Sequence, residues 1–159
     1  MKKTCLVTGS SGFIGSHVAD YLSKKNFSVR LFDKKKSKFK KKNQKSVIGS
    51  LKNFYDLDKA TKKIDTLFHF AASADLNHAN NKPFEAIQDN IMGTSNILKA
   101  CIKNKVKKII FASSIYAISE QGGIYSTTKL ASEMIIEKLC KKHSLNYVIL
   151  RFGTVYGTR

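Results

Sequence analysis

Tyr125 and Lys129 are the residues of this sequence best suited to acid–base chemistry. They lie four apart within Tyr125-Ser126-Thr127-Thr128-Lys129, so in a helix they share one face. A phenol ordinarily titrates near pH ~10, and a neighbouring ammonium favours the phenolate, moving Tyr125 toward a usable general base. In a chain this rich in lysine, Tyr-x-x-x-Lys also arises by chance, so its weight depends on where it falls in the fold. Metal chemistry is not expected. Cys5, Cys101 and Cys140 are widely spaced, and His17, His69, His78 and His143 form no pair at ligand spacing.

A second constellation lies near the start. Gly9-Ser10-Ser11-Gly12-Phe13-Ile14-Gly15 carries glycines at relative positions 1, 4 and 7, between a strand-like and a helix-like segment. Gly9 allows the turn out of the strand, Gly12 lets a pyrophosphate approach the backbone, and Gly15 lets the helix pack closely. The free N–H groups of the helix start, including those of Phe13 and Ile14, would face the phosphates. Asp33 ends the next apolar run, where a carboxylate accepts hydrogen bonds from both adenosine ribose hydroxyls and repels a 2′-phosphate. That favours NAD over NADP, although Lys34 and Lys35 follow directly and a cation there could hold such a phosphate. The positive nicotinamide of NAD would add to the pull of Lys129 on the Tyr125 phenol.

The elements that must position these groups alternate along the chain. Strands are predicted at Thr4–Thr8, Ser28–Phe32, Val47–Ile48, Asp65–Phe70, Lys108–Ala112 and Tyr147–Leu150. Between them, Ile14, Val18 and Leu22 recur every four residues, and 53–63 is weakly helical. Residues 73–82 are read as irregular. Pro83, a good first-turn residue, opens a single long helix to about Asn104 with Ile87, Ile91, Leu98 and Ile102 facing inward. A last helix runs from Tyr125 to Lys142. Alternating strands and helices imply an α/β fold, a doubly wound parallel sheet of the Rossmann kind with strand order 3-2-1-4-5-6. Tyr125 and Lys129 then open the helix that follows strand five.

The length of 159 residues fits one domain. The formal charge of +18 raises nucleic-acid or anionic-membrane binding, but the lysines are spread over nearly every segment. The dense run between Lys34 and Lys45 has little aromatic interleaving beyond Phe39 and lacks base-reading arginines. A solvated cationic surface is the expected reading, with no nucleic-acid or membrane partner. Met1-Lys2-Lys3 is followed by an apolar run of Cys5 to Val7 only, too short for a secretory leader, and a cytoplasmic location is expected.

The motif Thr8-Gly9-Ser10-Ser11-Gly12-Phe13-Ile14-Gly15-Ser16-His17, together with Tyr125-x-x-x-Lys129, resembles the extended short-chain dehydrogenase/reductases, the NAD-dependent epimerase/dehydratase family. Further matches span the chain: Phe68-His69-Phe70-Ala71-Ala72, Asn90-Ile91-Met92-Gly93-Thr94 and Leu150-Arg151-Phe152-Gly153-Thr154-Val155-Tyr156-Gly157. The resemblance implies a catalytic set of Ser114, with Ser113 as the alternative, Tyr125 and Lys129. It implies cofactor contacts from Gly9, Gly12, Phe13, Ile14, Gly15, Asp33, Ser50, Leu51, Phe70, Ala71, Ala72, Asn90, Tyr125 and Lys129. It further implies a nucleotide-sugar substrate and a homodimer through the helices carrying Ile91 and Tyr125.

The departures narrow the reading. Gly49-Ser50-Leu51 stands where the family commonly has Gly-Asp-hydrophobic, with the Asp on the adenine amino group, and Thr154 stands for a frequent Asn near the substrate. The stretch from Ser114 to Tyr125 is short. Ile115-Tyr116 follows Ser114 where sugar-nucleotide 4,6-dehydratases carry Asp-Glu, which leaves an NAD-dependent epimerase or reductase. Family members are about twice as long, so residues 1–159 are expected to be the NAD-binding domain with the substrate domain absent. A non-catalytic NAD-binding module is the alternative.

Overall fold

The computed structural model describes residues 2–119 and 121–159; Met1, part of the leader reading, lies outside them. Six parallel strands form one sheet in the order β3-β2-β1-β4-β5-β6, as the alternation predicts. They are β1 (Thr4–Thr8), β2 (Ser28–Asp33), β3 (Gln44–Ile48), β4 (Thr66–His69), β5 (Lys108–Ser114) and β6 (Asn146–Phe152). The chain winds outward from β1 to β3, then returns to lay β4 against the other side of β1. Register is fixed on both sides of β1, with Leu6 opposite Arg30 on β2 and Leu67 on β4. Where the winding reverses, the connections leaving β1 and β4 diverge and open a crevice beyond the strand ends.

The helices are α1 (Phe13–Lys24), α2 (Phe54–Thr61), α3 (Leu76–Asn81), α4 (Pro83–Ile87), α5 (Gly93–Lys103) and α6 (Gly123–Lys142). One face of the sheet packs a core of Leu6, Phe32, Leu57, Leu67, Ile97, Leu98, Ile109, Phe111 and Ile136, drawing on α2, α5 and α6. The other carries a smaller cluster of Cys5, Val7, Ala19, Leu22, Val29 and Leu31 under α1. No helix among the described residues is long and apolar enough to cross a membrane.

Three local predictions are corrected. The stretch read as irregular contains α3, because the Asp75 side chain accepts from His78 N at 2.7 Å and caps it. The single helix expected from Pro83 is interrupted by a π-turn at Gln88–Met92 between α4 and α5. Its wider turn shifts the helical phase, so Ala86 and Asn90 are buried while Ile87 and Ile91 are half-buried. Edge strand β3 is longer than its apolar core, because pairing with Val29–Asp33 recruits the polar Gln44, Lys45 and Ser46.

Candidate active site

The crevice begins with the turn out of β1. Gly9 adopts φ +65°, and a Cβ there would stand 2.7 Å from the backbone nitrogen of Ala71, just beyond β4. Only glycine combines that dihedral with so close a backbone approach. A Cβ on Gly15 would collide with the Gly9 carbonyl oxygen. Gly12 caps α1 with no side-chain hydrogen bond, whereas Asn53 and Asp75 cap α2 and α3 with theirs. The first-turn amides of α1 thus meet an open space and not a side chain of their own, as an anion site at a helix start requires. Asp33, at the end of β2, accepts from Ser11 N at 2.9 Å, which ties its carboxylate to the glycine turn.

The cavity above these groups has a volume of about 600 Å³. Gly9, Gly12, Phe13, Ile14, Gly15, Asp33, Leu51, Phe70, Ala71 and Ala72 line it, and so do Ser114, Tyr125 and Lys129 at its far end. The structure therefore brings together most of the residues named from sequence. Ser50 and Asn90 are not part of the lining. Ser50 folds back on its own loop, its amide donating to Asp56 Oδ2 at 3.1 Å and its hydroxyl accepting from Lys52 N at 3.2 Å. Asn90 is a buried pin: its Oδ1 accepts from Ser73 N at 2.7 Å and its Nδ2 donates to Thr128 Oγ1 at 2.9 Å, joining the segment after β4 to α6.

Sequence reasoning did not single out Asp89, Phe152, Gly153 or Val155 as lining. Asp89 is brought in by the π-turn, which no periodicity announces. The other three are the last residue of β6 and residues just after it, and the match of 150–157 to a family segment was the signal that could have found them. From sequence, His69 figures in a motif and among the histidines without a ligand partner, with no role of its own. It is fully buried beneath the crevice, bonded to Thr8 Oγ1 at 2.7 Å and Thr94 Oγ1 at 3.2 Å, and burial pushes its pKa down to about 3. It stays neutral and fixes the end of β4.

At the far end, α6 turns Tyr125 and Lys129 toward the last residues of β5. Lys129 Nζ donates to Ala112 O at 2.8 Å and lies 4.8 Å from the Phe111 ring centroid and 5.8 Å from that of Tyr125. Burial pushes the ammonium down to about 8, with the Glu133 carboxylate acting in the opposite sense. Burial pushes the Glu133 carboxyl up, but Arg151 of β6, which meets it with two hydrogen bonds of 3.0 and 2.7 Å, helps to hold it below its ordinary value. Burial raises the Tyr125 phenol above its ordinary value, and the Ser114 hydroxyl pulls it back. Burial, the larger of the two effects, sets the net upward direction of the phenol. Ser114 Oγ accepts from Tyr116 N at 3.2 Å and caps the short 3₁₀ turn Ile115–Ile118. Ser113 Oγ is buried without a hydrogen bond of good geometry.

A doubly wound sheet with a glycine turn at its reversal point, and Ser114, Tyr125 and Lys129 across the same cavity, has the form of a dinucleotide-binding α/β domain. The chain belongs to the NAD dependent epimerase/dehydratase family, whose model matches residues 5–159. It is 34% identical to a UDP-N-acetyl-alpha-D-glucosaminuronate decarboxylase of Bacillus cytotoxicus, covering 100% of this chain and 56% of the relative. It is 29% identical to a UDP-glucose 4-epimerase of Rickettsia akari, covering 99% of this chain and 50% of that protein. Among solved structures, a UDP-glucose 4-epimerase of Thermus thermophilus in complex with NAD superposes with TM-score 0.90 at 28% identity, over 98% of this chain and 57% of that one. The chain thus spans about half the length of the relatives it matches.

Proposed function

We propose that residues 1–159 form the NAD-binding domain of a nucleotide-sugar epimerase or reductase. The observation that carries this reading is the convergence of two distant motifs on one cavity: the glycine turn with Asp33 at one end, and Ser114, Tyr125 and Lys129 at the other. Bound there, NAD would supply a hydride acceptor and donor. Gly9, Gly12 and Gly15, with the amides of Phe13 and Ile14, would hold its diphosphate, and Asp33 its adenosine ribose. Leu51, Phe70, Ala71 and Ala72 would wall it. The nucleotide sugars named for the relatives fit the acid–base end by chemistry, since a sugar offers the hydroxyl or keto oxygen those groups serve.

At that oxygen, Ser114 orients and Tyr125 moves the proton. The raised phenol holds its proton at neutral pH, so Tyr125 is ready to donate to a keto oxygen. Accepting a hydroxyl proton instead is helped by positive charge close to the ring, and among the described residues Lys129 places its ammonium 5.8 Å from the ring centroid. The missing dehydratase-type Asp-Glu pair after Ser114 supports epimerisation or reduction over water elimination. Homodimerisation belongs to the same reading: Leu130 and Met134, four apart on α6, are 41% and 56% exposed and form an apolar strip. The buried free thiols of Cys5, Cys101 and Cys140 go with a reducing, cytoplasmic setting.

The test is Tyr125→Phe. NAD binding measured by calorimetry should be unchanged within about twofold, while turnover of UDP- or dTDP-sugars by the complete enzyme should fall at least 100-fold, the usual order for an essential acid–base group. Undiminished turnover would reject the assignment.

A further inference from the structure

Lys34 and Lys35 follow Asp33 directly and both line the same crevice, so each is a cation near the adenosine 2′ oxygen, and Lys34 is the one engaged in an ion pair. It does not stand free. Its Nζ lies 3.1 Å from Asp89 Oδ2, and Lys52 Nζ lies 3.2 Å from Asp89 Oδ1. Asp89 enters from the π-turn and joins the loops that follow β2 and β3. Its side chain is only 18% exposed, against 64% for Lys34 and 46% for Lys52, so the shared carboxylate is the fixed member of the triad. Lys52 also donates to Gln88 Oε1 at 3.2 Å, which anchors it on the same turn. Asp33 is occupied on its inner side by the Ser11 amide and adds negative charge at the ribose position. Lys35 has its backbone fixed, its carbonyl accepting from Ser11 Oγ at 2.9 Å, and its side chain makes no ion pair among the described residues.

We propose that Asp89 is a specificity-determining residue: by holding Lys34 it withdraws one of the two crevice-lining lysines that would otherwise receive a 2′-phosphate, and so reinforces selection of NAD over NADP. The inference rests on the reading of the crevice as a dinucleotide site. Asp33 acts by direct repulsion, whereas Asp89 acts by occupying an attractive group, so the two contributions are separable. Asparagine at position 89 keeps the side-chain shape but loses the charge that binds both ammonium groups. Lys34 then becomes free to turn toward the ribose.

Calorimetric titration of the folded chain with NAD and with NADP tests this directly. Asp89→Asn should tighten NADP about tenfold and leave NAD within about twofold, the scale of one freed unit charge acting on a phosphate near a protein surface. Asp89→Glu, which keeps the charge, should retain the wild-type preference. Lys34→Met added to Asp89→Asn should abolish the gain. An unchanged NADP to NAD ratio in Asp89→Asn would overturn the proposal, as would a gain that survives loss of Lys34. Loss of NAD binding in Asp89→Asn would also overturn it, because the carboxylate would then hold the dinucleotide and not the lysine. If the wild-type chain binds neither nucleotide, the dinucleotide reading itself falls, a result distinct from these.

Discussion

On the face of the sheet that carries α1, β1 and β2 are sealed, while β4 to β6 are not. Val7, Val29 and Leu31 are at most 2% exposed under α1. Following the register outward from Val7, the same face continues through Phe68, Ile110 and Val148, all only half-buried, and Leu150 on β6 is 38% exposed. The opposite face is closed over both halves, by α2 and α5 toward one edge and α5 and α6 toward the other. A parallel sheet ordinarily buries both faces. The part of the molecule that would grip a dinucleotide is therefore packed on both sides by this chain's own residues, whereas the part that presents Ser114 and Tyr125 is packed on one.

The sealed half should be the intolerant one. Gly15→Ala is the severest test, since the added Cβ would collide with the Gly9 carbonyl oxygen and backbone cannot move aside cheaply. Overpacking of that kind is expected to cost about 3 kcal/mol or more in urea unfolding and to weaken NAD at least 100-fold. Wild-type stability with wild-type affinity would show that the turn is not the tight element described. Next comes a matched pair of truncations. Leu31→Ala, 2% exposed under α1, should cost about 2–5 kcal/mol, and Leu150→Ala, 38% exposed on the open part of the same face, less than about 0.5 kcal/mol. Equal losses would mean that the two halves are covered alike in solution.

The same division governs what could be read from the sequence. Strand order, the glycine turn and the Tyr125–Lys129 face follow from patterns of fixed period or spacing, which local physics enforces. The π-turn at Gln88–Met92 does not. It depends on the buried Asn90 finding Ser73 and Thr128, residues 17 and 38 positions away, so no local periodicity contains it. Its consequences were missed with it: Asp89 reaches the crevice and Asn90 leaves it. The inward face of α6 was hard to see for another reason. Tyr125, Thr128, Lys129, Ser132 and Glu133 are buried while Leu130 and Met134 are exposed, an inversion of the usual apolar rule wherever the helix lies against the cavity. Spacing shows that Tyr125 and Lys129 are close, but not the burial that raises the phenol.

That inversion makes the smallest of the expected effects the most informative about the chemical half. Lys129 has a pKa of about 8 in the folded chain against 10.5 for an ordinary lysine. Between those values the unfolded chain binds more protons, so stability should rise with pH from about 8 toward 10, and the full penalty of burying the ammonium applies below that window. Above pH ~10 the raised Tyr125 phenol acts in the opposite sense, since the folded state then keeps a proton that the unfolded chain releases. Lys129→Met removes the buried charge at the cost of the hydrogen bond to Ala112 O. It should stabilise the chain by about 1–3 kcal/mol at pH 7, less the bond it forfeits, and flatten the rise between pH 8 and 10. Urea unfolding across that range measures both. A variant no more stable than wild type at pH 7, with the slope intact, would show that Lys129 is solvated and that the crevice floor is as open as the sheet face behind it.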